Sequence, residues 1–237
     1  MGIDSVPVDE LSNGRDEAAD KWTVEPVPNA ALASCSRFST RLSFLVLILA
    51  SSSAIRRQML AAAGLEFEVL PSSVDEDRFK ARLTDPGEIA ARLAAAKAEA
   101  VSILRPDDWV IGSDSVVAAA GRLFDKPRNR DEAAEHLRFF SGKEMQLTSA
   151  FALFRHGDLS RDHVDRATLY VRPLSESFIA DYLDAEWPEV SYTVGVFRLE
   201  GRGVQLFDRI EGNHFTILGM PLIALLGALR DLGIIRS

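Results

Sequence analysis

The chain has 237 residues, of which 47% are hydrophobic and 26% are charged, which is the composition of an ordinary globular protein. Its formal net charge of -8 leaves no basic surplus to neutralise many phosphates, so broad nucleic-acid binding is excluded while one small anion held by local cations is still permitted. Cys35 is the only cysteine, so no internal disulfide can form, and we expect a reducing, cytoplasmic location.

Residues 1–42 differ in composition from the rest of the chain. Acidic side chains are scattered there among Ser, Asn, Gly and Pro without a clear period. This composition predicts a disordered or loosely docked extension. We therefore expect an extension at 1–42 followed by one folded domain at 43–237.

An apolar run at residues 44–50 leads directly into three serines, Ser51 to Ser53. The run is shorter than the roughly 20 residues that a membrane-spanning helix needs. The mildly acidic residues before it do not resemble a signal peptide. The run therefore predicts a buried strand covered on both faces, and we expect no membrane partner. Tethering to a membrane through this run is the less favoured alternative.

Helix and strand patterns follow one another along the domain. A helix is predicted at 54–63 with Ser53 as its N-cap and Gly64 just after its end, and a longer helix begins at Pro86, capped by Thr84 or Asp85. The other predicted elements are strands at 67–71, 109–120 and 123–124, a helix at 131–140, strands at 144–155 and 163–172, a helix at 175–185, strands at 193–199 and 203–210 joined by a turn at 201–203, and a helix at 221–232. This order predicts an α/β fold, with a mixed twisted sheet flanked by helices.

The serine loop has the features of an anion site. The first N–H groups of a helix lack internal partners, and the helix dipole adds positive charge at the same end. Ser51 and Ser53 add hydroxyl groups, and Arg56 and Arg57 add planar donors suited to phosphate oxygens. A capped helix with two solvated arginines is the alternative reading of this pattern.

Charged residues interrupt the pattern at four further places. Asp114 lies within an otherwise apolar strand, so it must reach a cleft, pair with a cation, or lie at a surface bulge. Glu76 belongs to an acidic loop, which on its own indicates a solvated turn. Lys126 follows the predicted return strand, and Lys97 borders the apolar face of a helix, where its amine could simply extend into solvent. Two carboxylates with several cations suit a divalent cation and a polyphosphate.

Three separated segments of the domain resemble the Maf family. They are LILASSSAIRRQMLAAAGLEFEVLPSSVDED, VIGSDSVVAAAGRLFDKP and LEGRGVQLFDRIEGNHFTILGMPLIAL. The resemblance implies a mixed α/β fold of two lobes with a central cleft, like that of inosine triphosphate pyrophosphatases, and a possible homodimer. It also implies metal-dependent hydrolysis of a nucleoside triphosphate to the monophosphate and pyrophosphate, with Mg²⁺ or Mn²⁺ as cofactor and a house-cleaning role in the nucleotide pool. The alternative is a non-catalytic nucleotide-binding regulator of cell division.

The resemblance also assigns roles to individual residues. Asp114 matches the catalytic aspartate and a metal ligand, and Glu76 matches the second metal ligand. The residues that match substrate-binding positions are Ser51, Ser53, Arg56, Lys97 and Lys126.

Three positions tied to base choice depart from the dTTP/UTP-cleaving branch: Ile55 replaces an arginine, Ser115 a threonine and Glu200 a glutamine. Because an ionised carboxylate only accepts hydrogen bonds, Glu200 favours a base edge that donates, such as that of guanine. The tail LFDRIEG and the first loop without arginine resemble the 7-methyl-GTP branch more closely, although that branch has a large aromatic residue at the position of Ile55, so the base is left open.

Overall fold

The computed structural model describes residues 46–80 and 82–236, so the extension expected at 1–42 lies outside the described residues. One mixed sheet of seven strands runs through this part of the chain, in the order β2-β1-β3-β5-β6-β7 with β4 beside β3. The strands are β1 (Leu47–Leu49), β2 (Glu68–Val69), β3 (Trp109–Ala119), β4 (Arg122–Phe124), β5 (Glu144–Arg155), β6 (Asp158–Val171) and β7 (Phe207–Glu211). Strands β2, β1 and β3 are parallel, and the remaining pairs are antiparallel.

Helices flank this sheet, as the alternating pattern predicts. They are α1 (Ala54–Ala62), α2 (Asp77–Lys80), α3 (Pro86–Leu104), α4 (Arg130–Phe140), α5 (Glu176–Glu186), α6 (His214–Ile217) and α7 (Leu222–Asp231). The predicted caps are confirmed: the Ser53 hydroxyl accepts from the first turn of α1, and Asp85 accepts from the first turn of α3, which begins at Pro86. None of the helices in residues 46–80 and 82–236 combines the length and apolar character needed to cross a bilayer.

The apolar core divides between the two ends of the long strands. Around β1, one cluster packs α3 against one face of the sheet, and a second packs α1 and α7 against the other face. Around β4, a third cluster packs α4 and α5 against the far ends of β3, β5 and β6. This division agrees with the two lobes expected from the sequence.

Between these two ends, one edge of β3 has no partner strand among residues 46–80 and 82–236. Strand β1 pairs with β3 at residues 109–111, and β4 pairs with the same edge at residues 117–119. Residues 112–116 of this edge therefore face a gap in the sheet, which we call the sheet gap. Backbone groups at such a gap need other partners, so side chains or a ligand must supply them.

Gly112, the first residue of the sheet gap, sets how closely α3 approaches the sheet. A Cβ atom at this position would lie 2.0 Å from the carbonyl oxygen of Ala94 and 2.7 Å from the amide nitrogen of Ala98, both in the α3 backbone. Only glycine permits this approach. The contact brings the middle of α3, including Lys97, against the strand segment that carries Asp114.

Between α5 and α7 the strand prediction is wrong at 193–199 and at the start of 203–210, whereas the end of 203–210 does form β7. Instead of a strand at 193–199 there is a 3-10 turn at Glu189–Tyr192 followed by irregular chain, and a second 3-10 turn at Arg202–Leu206 precedes β7. The apolar residues Val196 and Phe197 pack in the core cluster that contains α4 and α5. No strand pairs with residues 193–199. Gly201 begins the second 3-10 turn, so the predicted hairpin turn at 201–203 is also wrong. The two four-residue helices, α2 and α6, are too short to give a sequence period.

Candidate functional site

The serine loop lies where β1 ends and the sheet gap begins. Ser51 is buried, and its Oγ accepts hydrogen bonds from the backbone N–H of Ser53 at 3.3 Å and from Nη1 of Arg56 at 3.3 Å. A hydroxyl that accepts twice still carries one proton to donate. The Ser53 hydroxyl accepts from the backbone N–H of Arg56, so it serves as the helix cap. Ser51 and Ser53 thus both keep a hydroxyl proton that can be donated to an anion.

The side chain of Arg56 supplies hydrogen-bond donors along the sheet gap, where a partner strand would otherwise supply them. Its Nη1 donates to the backbone oxygen of Ser113 at 2.9 Å, and its Nε donates to the backbone oxygen of Gly219 at 2.9 Å. Its Nη2 donates to Ser115 Oγ at 3.0 Å. These partners are neutral oxygens, and no carboxylate of the described residues lies within ion-pair distance.

A buried cation without a carboxylate partner is costly. Burial lowers the pKa of the Arg56 guanidinium, and the charges of Asp114 and Glu76 oppose that effect. An arginine remains charged nevertheless, because its ordinary pKa is far above neutral. Arg56 therefore places an uncompensated positive charge beside the serine loop, which favours the anion-site interpretation over two solvated arginines.

Asp114 has a dedicated cation on the α3 side of β3. Lys97 Nζ lies 2.6 Å from Oδ1 of Asp114 and 2.7 Å from Oε1 of Glu76, so one ammonium bridges both carboxylates. The side chains of Lys97 and Asp114 are 11% and 8% exposed, whereas that of Glu76 is 43% exposed. Of the alternatives left open by the sequence, the structure thus gives Asp114 a paired cation, and Lys97 does not extend into solvent.

Two further lysines surround Glu76. Burial raises the pKa of Glu76, but the hydrogen bond from Lys97 and the charges of Lys97, Lys80 and Lys126 outweigh burial and lower it. Lys80 lies one helical turn after Glu76, at 3.8 Å, and also pairs with Asp125 just after β4. Lys80 therefore links the acidic loop to the β4 end of the sheet gap.

The three residues expected to set base choice do not share one environment. Ile55 lines an apolar cavity of about 380 Å³ between α1 and α7. The Ser115 hydroxyl contacts Arg56, Ser149 and the backbone oxygen of Gly219. Glu200 lies near the second 3-10 turn, where its carboxylate pairs with Arg198 at 3.4 Å. Among the contacts of the described residues, those of Ser115 connect it to Arg56, whereas those of Glu200 do not.

Sequence reasoning missed four residues that complete this arrangement. Lys80 had a usable signal, because it stands four positions after Glu76 and would share a helix face with it. Ser113, Ser149 and Gly219 contribute a backbone oxygen, a buried hydroxyl and another backbone oxygen. Such contacts join positions up to 163 residues apart, and no local pattern predicts them.

Comparison with known proteins assigns the chain to a family. Residues 46–232 match the family described as Maf-like protein. A 7-methyl-GTP pyrophosphatase of Rhizobium etli is 47% identical over 193 residues, covering 80% of this chain and 97% of that protein. A nucleoside triphosphate pyrophosphatase of Nitrobacter hamburgensis is 47% identical over 191 residues, covering 80% and 95%. A 7-methyl-GTP pyrophosphatase of Rhizobium meliloti is 44% identical over 196 residues, covering 81% and 98%.

These matches span the domain that carries the sheet gap. The resemblance drawn from the three sequence segments is confirmed, including its leaning toward relatives that bear the 7-methyl-GTP name. The expected enzyme class, nucleoside triphosphate pyrophosphatase, is the one that the names of these relatives state. This chain belongs to the Maf family.

Proposed function

We propose that this protein hydrolyses a nucleoside triphosphate to the monophosphate and pyrophosphate. One observation carries the proposal: the sheet gap has the Lys97-bridged carboxylates on one side and the uncompensated charge of Arg56 on the other. A triphosphate laid along this gap would place its negative charge against Arg56 and the lysines. The names of the relatives support the same reaction.

In this proposal Asp114 handles the proton of the attacking water. Its Oδ1 accepts from Lys97, while Oδ2 has no hydrogen-bond partner among residues 46–80 and 82–236. Water adds at phosphorus, the bond between the α- and β-phosphates breaks, and Oδ2 accepts the proton that water loses. Arg56, Lys97 and Lys126 would neutralise the charge that develops on the departing pyrophosphate, and the Ser51 hydroxyl would donate to a phosphate oxygen.

The carboxylates also suit a divalent cation. The Lys97 ammonium holds the carboxylates of Asp114 and Glu76 close together through Oδ1 and Oε1, which leaves the second oxygen of each to face a metal. Within the described ranges no group of three or more His, Cys, Asp and Glu could hold a metal alone, so water and substrate phosphates would complete the coordination, as is usual for Mg²⁺. Asp114 and Glu76 would hold Mg²⁺ or Mn²⁺, which when bound would offset phosphate charge.

For the base we propose a guanine-type nucleotide, including a modified one such as 7-methyl-GTP. Glu200 would accept hydrogen bonds from the donor edge of guanine, whereas Ile55, which lies in a separate environment, offers no donor where an arginine would donate. The 7-methyl-GTP name of two relatives supports this choice. Removal of such a nucleotide from the pool would be a house-cleaning activity.

The test is a panel of nucleoside triphosphates, including 7-methyl-GTP, assayed with Mg²⁺ or Mn²⁺ for both monophosphate and pyrophosphate. Asp114→Asn should lower kcat by about 10²- to 10⁴-fold, the usual contribution of a general base. Asp162→Asn, which changes an exposed aspartate on β6, is the matched control. Unchanged turnover in Asp114→Asn would remove Asp114 from the chemistry. Tight nucleotide binding without product from the wild type would instead favour the regulator.

A further inference from the structure

A chain of hydroxyl groups lies directly behind Arg56. Ser115 Oγ is 3.0 Å from Arg56 Nη2 and 2.8 Å from Ser149 Oγ, and Ser149 Oγ is 2.8 Å from the backbone oxygen of Thr216. Ser149 lies in β5 and is completely buried. The chain thus connects the guanidinium to α6, which contains Thr216.

Two proton arrangements fit this chain, and the contact of Ser149 with Thr216 at 2.8 Å is favoured over that of Ser115 with Gly219 at 3.0 Å because it is shorter. In the favoured arrangement Ser149 donates its single proton to the backbone oxygen of Thr216, which can only accept. The proton between the two serines then comes from Ser115, and the lone pairs of Ser115 are left for Nη2 of Arg56. A hydroxyl has one proton, so Ser115 cannot also donate to Gly219, although that oxygen is 3.0 Å away.

The backbone oxygen of Gly219 has two hydrogen-bond donors without Ser115. Arg56 Nε at 2.9 Å and Ser113 Oγ at 3.2 Å donate to it, which fills its two lone pairs. The backbone of Gly219 has φ +105°, and a Cβ atom there would lie 3.2 Å from Ser115 Oγ. Glycine therefore allows this carbonyl to sit against the two serines and Arg56.

These bonds fix the guanidinium in one orientation. Arginine has five N–H donors, and the protein oxygens of Ser51, Ser113, Ser115 and Gly219 take four of them. The remaining N–H is on Nη2, the nitrogen that Ser115 holds. The direction in which Arg56 can offer a hydrogen bond to a phosphate thus depends on Ser115, and through it on Ser149.

We propose that Ser149 is a positioning residue, which acts through Ser115 to aim the free N–H of Arg56 at a phosphate group. This inference rests on the proposed function, because it takes the anion beside Arg56 to be the triphosphate or the pyrophosphate product. Without the Ser149 hydroxyl, the Ser115 proton would turn to the Gly219 oxygen and compete there with Arg56 Nε. The Nη2 end of the guanidinium would then be held less firmly, while the bonds at Nε and Nη1 and the fold are kept.

The experiment compares Ser149→Ala with Ser102→Ala. Ser102 is equally buried and hydrogen-bonded, through its Oγ to the backbone N–H of Gly157 at 2.9 Å, but it lies at the end of α3 in the turn region of β5 and β6. Thermal unfolding reports the structural cost of each change, and calorimetric titration with inorganic pyrophosphate reports the anion site without requiring turnover. We expect similar losses of stability, with pyrophosphate affinity about tenfold weaker in Ser149→Ala alone, the size of one net hydrogen bond.

A second comparison tests the route through Ser115. Ser115→Ala should weaken pyrophosphate binding by a similar factor, and adding Ser149→Ala to it should weaken binding no further, because both changes break one chain. Ser115→Ala also tests the chain from its less buried end if Ser149→Ala does not fold. Equal pyrophosphate affinities in Ser149→Ala and Ser102→Ala, additive effects in the double variant, or no pyrophosphate binding by the wild type would each overturn the proposal. A wild type that binds pyrophosphate but releases no monophosphate would instead contradict the proposed function alone.

Discussion

Lys97→Met tests whether one ammonium holds the carboxylate pair together. The change keeps the length of the side chain and removes the charge, so Asp114 and Glu76 face each other without the ammonium that bridges them. Breaking a buried ion pair from one side costs about 3–5 kcal/mol. Glu76 is 43% exposed and can be solvated by water once the ammonium is gone, whereas Asp114 is only 8% exposed. We therefore expect a loss of unfolding free energy at the lower end of this range, about 3 kcal/mol. For a domain of this size such a loss lowers Tm by about 6–12 °C.

The assay is calorimetric unfolding at neutral pH, with and without Mn²⁺. Mn²⁺ should restore part of the lost stability, since two carboxylates freed of their ammonium can share a divalent cation. Lys97→Met/Asp114→Asn should be more stable than Lys97→Met alone, because the neutral amide removes the buried unpaired charge. Lys143→Met is the control, because Lys143 is exposed and contacts the backbone oxygen and the ring of Phe139 without pairing with a carboxylate of the described residues. The reasoning is refuted if Lys97→Met costs no more than Lys143→Met, or if the two site changes are additive.

Two further changes test the approach of α3 and the charge of the acidic loop. Gly112→Ala should force α3 away from the sheet and lower Tm and activity together. The control is Gly227→Ala, whose added Cβ meets nothing within 4 Å and should leave Tm unchanged or slightly higher. Equal Tm values in the two variants would show that α3 does not pack as described. The pKa of Glu76 is lowered in the folded protein, so its charged form contributes stability that is fully present above the unfolded value of 4.5 and is lost as pH falls through the folded value. Glu76→Gln should therefore destabilise the protein more at pH 7 than at pH 3, as measured by urea unfolding, and a pH-independent difference would contradict the Lys97 bridge.

Local chemistry made much of the fold predictable. Ser53 and Asp85 are helix caps whose side chains accept from the first turn, and such caps act within three residues. The strands β3 and β5 were predicted because continuous apolar runs are buried on both faces. The strand prediction for 193–199 is wrong because the apolar residues of this segment pack against helices and gain no strand partner.

The candidate site was predictable in its residue types and unpredictable in its connections. A carboxylate within an apolar strand indicated that Asp114 needed a partner, yet the sequence could not choose between a cleft, a cation and a bulge. The choice of Lys97 depends on Gly112, which lets α3 approach the strand closely. Lys80 and Ser149 became visible only once their neighbours were in place.

The sequence by itself determined the family, most of the order of helices and strands, and the ionisable side chains, because these follow from short-range pattern and from residue identity. Only the tertiary structure decided that β1 and β4 leave an unpaired edge on β3, and that Arg56 fills it while Lys97 joins two carboxylates beside it. The physical reason is that hydrogen bonds and charge pairs act over a few ångströms in space. The residues that form them here are distant along the chain, so packing has to bring them together.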